Sequence, residues 1–477
     1  MDEELDGKRV IKTDEGAENG QNKCPKCGAT DISLNVKTGM LRCNFCRHEF
    51  SPQKVENMVN DISNLQGEVM GSGATDIVAD TKDVLTFKCS SCGAEVVIDT
   101  SESTQARCHW CRNTLSVNQQ IPNGAVPDVV LPFSVPKKEA KQAIESFVGK
   151  RKFYAHPKFR HEFTTDNIMG VYLPYMIIDA NTHARFRGQG EHETRRYTVR
   201  RGDNTEIRYD ADLYDIEREF DMTIEGLTVE SSEDKLNTSA KDKTNNIINS
   251  IMPFDTENAV KWDSNYLKGY SSEKRDVNIG NIKGLVAEQS KDIARFAAND
   301  TLKFYDRGVR WDFEDLDIKG QQWKSAYLPV WLYSYQQEKG NKKLLHYVAV
   351  NARTKETMGS VPIHLPKLVI ISILVEILSF FLAFLLTNNS DENWPWIFLV
   401  GGFAYFGIIY GKYRNQGARH TYELETKREM KNLAKSDNFV RKEHGLSNST
   451  MRNANNKRVS GKTGSKNFME QLGDITK

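Results

Sequence analysis

The chain has 477 residues, with 65 Lys or Arg against 64 Asp or Glu and a formal net charge of +1. That balance excludes a whole-molecule field that would draw it to nucleic acid, and the length suffices for two or three domains with extensions. All eight cysteines lie before residue 112, in two clusters that a reducing compartment would not use as a disulfide framework.

Residues 1–21 are polar and acidic from the start, so no secretory signal is expected and the segment is expected to be disordered. Then come Cys24-Pro-Lys-Cys27 and Cys43-Asn-Phe-Cys46, and later Cys89-Ser-Ser-Cys92 and Cys108-His-Trp-Cys111. Both units read C-x2-C-x15-C-x2-C and lie 65 residues apart, an internal duplication. The spacing predicts two β zinc ribbons, over 22–50 and 87–116, each holding one Zn2+ in a tetrahedral shell of four thiolates. Ribbons this small are folded by the metal, at ~10–16 kcal/mol of binding. Gly28 and Gly93 follow the first knuckles, where the backbone must turn freely, while Arg47 and Arg112 stand at the matching places in the second. His48 and His109 are bystanders to complete sulfur shells. Ribbon one has five bases and two acids and ribbon two has three of each, which favours a structural or protein-contact role over nucleic-acid reading. Between them, over 51–86, a helix from Ser51-Pro52 to Leu65 and a linker near Gly71–Ala74 are expected.

From 117 to 362 the pattern is mixed α/β. Val129–Phe133 is strand-like, Pro136–Val148 helical, Ile168–Asp179 extended, and Asp242–Met252 and Asn278–Thr301 helical. Tyr172-Leu173-Pro174 recurs as Tyr327-Leu328-Pro329, each after a helix and before strands, which suggests two copies of one helix-plus-sheet unit. Tyr347–Met358 reads as a hairpin turning at Asn351–Lys355.

Residues 368–387 hold 15 Leu, Ile, Val or Phe, worth roughly −5 to −9 kcal/mol on insertion against about +3 for Glu376. With the uncharged run 394–411 this predicts a two-helix transmembrane hairpin within 363–412. Asp391 and Glu392 fall in its turn, and 15 bases against 7 acids follow from Lys412 to Lys477. The positive-inside rule then places a two-pass protein in the plasma membrane with both termini cytoplasmic, 413–477 being a basic cytoplasmic tail. Trp394 and Trp396 would mark one interface, Tyr410 and Tyr413 the other. Glu376 and Tyr405 would share a depth, as a hydrogen-bonded pair or as a contact for a partner's membrane helix. Gly407 and Gly411 form a G-x-x-x-G at the membrane edge.

No catalytic constellation emerges. Gly461-Lys462-Thr463 lacks the preceding Gly of a phosphate loop, and His161-Glu162 and His192-Glu193 lack the closing His of a zincin helix. Arg185, Arg187, Arg195, Arg196, Arg200 and Arg201, with Phe186 and Tyr197, flank a Gly-Gln-Gly turn. They read either as a phosphate- or lipid-headgroup-binding hairpin or as a solvated sheet face beside Glu191 and Glu193.

The arrangement of FKCSSCGAEVV (87–97), VVLPFSVPKKEAKQAI (129–144), MGVYLPYMIIDA (169–180), MPFD (252–255) and AYLPVWLY (326–333) resembles the bacterial membrane-anchored TFIIB-type zinc ribbon-containing proteins. Members are sometimes named replication-restart helicases, a label the missing nucleotide-binding motif argues against. The resemblance implies envelope-stress systems in which a membrane protein recruits soluble partners. The expected whole is a multi-domain chain: two small β zinc ribbons, a mixed α/β cytoplasmic region with an internal repeat, and a two-helix hairpin. Its expected function is a non-enzymatic adaptor binding the lipid bilayer and protein partners. The alternative is a membrane-tethered nucleic-acid binder.

Overall fold

The computed structural model describes residues 3–11 (without 6), 24–29, 32–52, 58–59, 61–76, 127–201, 204–232, 249–339 (without 263, 268 and 274), 342–387, 400–414 and 421–446, with short strands at 84–88, 95–99, 106–107, 114–115 and 120–121. Near the N-terminus a three-stranded antiparallel sheet is built from β1 (Ile32–Asn35), β2 (Met40–Cys43) and β3 (Glu49–Phe50). The body is organised on β4 (Val129–Val130), α1 (Lys137–Gly149), α2 (Pro157–Glu162), β5 (Met169–Arg201), β6 (Asn204–Glu230), β7 (Ser271–Glu273), α3 (Ile279–Asn299), β8 (Gly308–Lys339), β9 (Lys342–Asn351) and β10 (Thr357–Gly359). After it come α4 (Leu365–Thr387), α5 (Gly401–Arg414), α6 (Tyr422–Glu425) and β11 (Lys427–Leu446).

The two Tyr-Leu-Pro triplets are direct partners. In the antiparallel β5–β8 ladder Tyr172 faces Pro329, Leu173 faces Leu328 and Pro174 faces Tyr327. Around this centre β7 runs parallel to β5 at Val171–Tyr172, and β4 runs parallel to β8 at Ala326–Tyr327. Antiparallel pairing with β6 then begins at Tyr175, and with β9 at Val330. A proline lacks the N–H a central strand needs. Here the Pro174 carbonyl accepts from Ser231 N–H and the Pro329 carbonyl from Ala352 N–H, both on the outer side. The missing donors therefore face the gaps between two outer strands, and the β5–β8 ladder is unbroken.

Both faces of this centre are covered, so the residues alternate between two cores rather than between core and water. Tyr172, Tyr327, Trp331 and Tyr333 pack with Ala140, Ile144 and Phe147 of α1. Val171, Leu173, Leu328 and Val330 pack on the other face with Ile251, Met252 and Phe254. Farther along β5, Ala184 and Phe186 meet Ile282, Val286, Ile293 and Ala297 of α3, each large side chain there contributing ~1.5–3 kcal/mol of burial.

Several expectations are corrected. The chain is mostly β-sheet, not mixed α/β, with six α-helices among the described residues. Ile168–Asp179 is only the start of β5, which runs to Arg201: Ala180, Ala184 and Phe186 lie in the core with α3, and the exposed end is carried by its pairing with β6. The basic tail contributes the 20-residue strand β11, antiparallel to the acidic β6. Glu3–Leu5 and Lys8–Ile11 are strands rather than disorder. Gly71–Ala74 is not a linker: Gly67–Gly71 pairs with β8, and Gly73 N–H donates to buried Asp128 at 2.7 Å. In the described part of 51–65 there is one 3-10 turn, Ile62–Asn64, and no α-helix. Of 242–252, the described part is likewise a 3-10 turn, Asn249–Ile251.

The two-helix transmembrane hairpin is not borne out either. Among the described residues one helix, α4, is long and apolar enough to cross a membrane. α5, the described helix of the second apolar run, has 14 residues, Gly401–Arg414, short of the ~20 a span requires. The two-pass plasma-membrane topology with both termini cytoplasmic, which rested on a second span, falls with it. Residues 388–399, with Asp391, Glu392, Trp394 and Trp396, lie outside the described residues.

Candidate metal centre

Two knuckles of the same build bring Cys24, Cys27, Cys43 and Cys46 together. Gly28 N–H donates to the Cys24 carbonyl and Arg47 N–H to the Cys43 carbonyl, both at 2.9 Å. Cys24 N–H donates to the Ala29 carbonyl at 2.8 Å, and Cys43 N–H to that of His48 at 2.9 Å. Closing the loops requires left-handed backbone, with φ of 73° at Gly28 and 58° at Arg47. Glycine takes this conformation freely and arginine does not. The second knuckle thus keeps the geometry with a side chain that opposes it.

All four Sγ atoms lie within 4.8 Å of one another. Cys24 Sγ is 3.6 Å from Cys46 Sγ, and Cys27 Sγ is 3.6 Å from Cys43 Sγ. A tetrahedron with metal–sulfur arms of ~2.3 Å has edges of about 3.8 Å, so the cluster fits an ion held by four thiolates. Cys46 N–H points at Cys43 Sγ, 3.5 Å away, and would stabilise charge on that sulfur. Burial raises the Cys24 thiol, but the Cys27 and Lys26 amides and the nearby thiols outweigh it and bring the group down to about 7. At Cys27 the Ala29 amide lowers the thiol, yet burial and the three neighbouring thiols carry it up to about 12. Four packed sulfurs cannot all ionise unaided, and a bound cation is what permits it.

The sheet behind the sulfurs is anchored in the body. Ile32 and Leu41 are buried in the same core as α1, with Leu34, Val36 and Phe50 against it. His48 stacks on Phe50 at 6.1 Å rather than facing the sulfurs, in keeping with a bystander. Phe45, between the last two cysteines, is 81% exposed. The second expected site, Cys89, Cys92, Cys108 and Cys111, lies outside the described residues. The strands near it are described: Val84–Lys88 pairs with Glu95–Asp99, and Ala106–Arg107 with Thr114–Leu115.

The other residues singled out behave differently. Glu376 and Tyr405 are not joined: Glu376 Oε2 accepts from Gly402 N–H at 2.5 Å, and Tyr405 Oη lies 2.6 Å from Tyr154 Oη. The place opposite Glu376 that the equal-depth count gave to Tyr405 is held by Gly402, while Tyr405 reaches out of the helix pair to Tyr154. The close approach of the helices is made by Gly402, where a Cβ would lie 2.7 Å from that of Glu376, whereas Gly411 has open space. Of the arginine group, Arg185 pairs with Glu219, Arg187 with Glu217 and Arg196 with Glu193. These three fit the solvated sheet face, each answered by a carboxylate on β6 or on β5 itself. Sequence reasoning missed the ion pair of buried Arg218 with half-buried Asp437 and the buried pair Arg295–Asp292, because their acids and bases are distant or generic in sequence.

No family model matches the chain, and no solved structure matches it. It is similar to the uncharacterized protein YdjG of Bacillus subtilis, with 24% identity over 347 residues, covering 72% of this chain and 89% of that protein.

Proposed function

We propose that the chain is a zinc-binding, non-catalytic scaffold that associates with a lipid bilayer through α4 and recruits protein partners. The observation that carries the reading is the four-sulfur cluster. Its donors complete a tetrahedral shell and leave no open position for substrate, which is the design of a structural rather than a catalytic zinc. A second ion would be held by Cys89, Cys92, Cys108 and Cys111. Phe45 offers an exposed aromatic anchor of the kind that protein contacts use. The side chains of α4 support bilayer association: Ile370, Ile377, Leu378 and Phe380 are each at least 60% exposed, where a core helix would bury them. The resemblance to membrane-anchored zinc ribbon proteins agrees with this reading.

The test combines metal analysis with capture of partners from detergent-solubilised membranes. Two zinc ions per wild-type chain are expected, and one in Cys43→Ser. A defined protein partner should be retained at high salt and lost with Phe45→Asp. Retention of DNA instead, weakening steeply with salt, would establish the nucleic-acid alternative.

A further inference from the structure

The segment between α1 and α2 is laced to the foot of α4. His364 N–H donates to the Tyr154 carbonyl and His156 N–H to that of Pro362, both at 2.8 Å, and Ala155 bridges Ile363. Lys367 Nζ donates to the Phe153 carbonyl at 2.7 Å and sits 3.7 Å from the centre of its ring. From α5, the Tyr413 hydroxyl accepts from Tyr154 N–H at 3.2 Å and donates to the Arg151 carbonyl. Residues 151–156 are therefore fixed relative to both helices.

This segment and its surroundings are strongly cationic. Lys150, Lys152, Lys158, Arg160 and Lys412 are exposed, and among the described residues none of the five is ion-paired with a carboxylate. Glu162 is the one acid between 146 and 165. The ring of Phe153 is 59% exposed beside these charges, and the exposed apolar surface of α4 begins two residues past Lys367, at Val369. Cations, then an aromatic edge, then an aliphatic wall match in order the phosphate, ester region and acyl chains of a phospholipid.

We infer that Lys150, Lys152, Lys158, Arg160, Lys367 and Lys412 form a collar that binds the headgroups of anionic phospholipids around the foot of α4. The inference rests on the bilayer reading of α4. A lipid phosphate would meet the lysines while its acyl chains lie along the helix. A free phosphate would have no use for the apolar wall.

Full-length protein in mild non-ionic detergent would be titrated with phosphatidylglycerol or phosphatidylcholine of the same acyl chains, and bound lipid counted by native mass spectrometry. Phosphatidylglycerol should bind about tenfold more tightly, as a few lysines at a headgroup allow. Lys150→Glu/Lys152→Glu/Lys158→Glu should abolish that preference while leaving zinc content and thermal unfolding unchanged. Equal binding of the two lipids, or a triple variant that keeps the preference, would overturn the collar but leave bilayer association standing. Retention of neither lipid would sink both. Displacement of phosphatidylglycerol by sodium phosphate, at constant ionic strength, would assign the lysines to free phosphate and overturn the proposal.

Discussion

Arg218 of β6 is buried to 1% exposure and its guanidinium is closed by Asp437 of β11, with Nη2 3.1 Å from Oδ2 and Nη1 on Oδ1. Its Nε donates to Thr301 Oγ1 at 3.0 Å, so one cation ties β11 to the end of α3. Removing one partner of a buried pair strands the other charge, at ~3–5 kcal/mol. Asp437 is 38% exposed, which softens the loss. Asp437→Ala should cost about 2–3 kcal/mol in chemical denaturation. Limited proteolysis should cut first within 427–446. An unchanged midpoint would mean that β11 is not held this way.

The second knuckle carries strain that the first avoids. Arg47→Gly should relieve the left-handed penalty of ~1 kcal/mol and slow zinc transfer to a chelator several-fold. Arg47→Val should speed it. If both variants released zinc at the wild-type rate, φ at this position would not control the site.

Gly320 is where the segment 61–66 leans on β8. A Cβ there would lie 2.5 Å from the Leu65 carbonyl oxygen and 2.8 Å from Gln66 N. Asn181 Nδ2 meanwhile holds the Ser63 and Leu65 carbonyls at 2.8 and 3.1 Å. Backbone cannot yield as a side chain does, so Gly320→Ala should cost ~1–3 kcal/mol. Hydrogen exchange should show 61–71 opening before the rest of the sheet.

His346 on β9 sits largely out of water with Ser360 Oγ 3.2 Å from Nδ1, and burial pushes its pKa down to about 4. The unfolded chain protonates this group near 6.5 and the folded chain refuses the proton. Stability should therefore fall as pH drops from about 6.5 to about 4, by ~2–3 kcal/mol, and gain nothing further from this group above 6.5. Urea midpoints measured across that window should flatten in His346→Gln. A parallel slope in the variant would assign the effect elsewhere.

The legible parts of the sequence were those whose signal is local. Cysteine spacing gave the first cluster, and the 3.6 periodicity of PKKEAKQAIESFV gave α1, observed as Lys137–Gly149. α3 emerged from Asn278–Thr301 in the same way. What stayed hidden depended on a distant partner. KREMKNLAKSDNFVRKEHGL shows no apolar alternation, because most of its side chains are exposed and much of its complement is charge: Lys431 lies opposite Asp221, and Lys435 opposite Arg218 with Glu217 and Glu219 beside it. Beyond Asp179 the inward positions of β5 include Ala180, Ala184, Gly188 and Gly190, too small to announce a strand. α4 was readable from composition, since an unbroken apolar run carries its own signal.

The exchange around Leu173 and Leu328 makes each half of the body a debtor to the other. β4 precedes α1 yet finishes the sheet edge of β8, and β7 precedes α3 yet finishes that of β5. Severed between 232 and 249, the two pieces would each expose an open flank that only its sibling fits. They should be sticky and ill-formed apart, and recover a native sheet when mixed, like hands that clasp only as a pair.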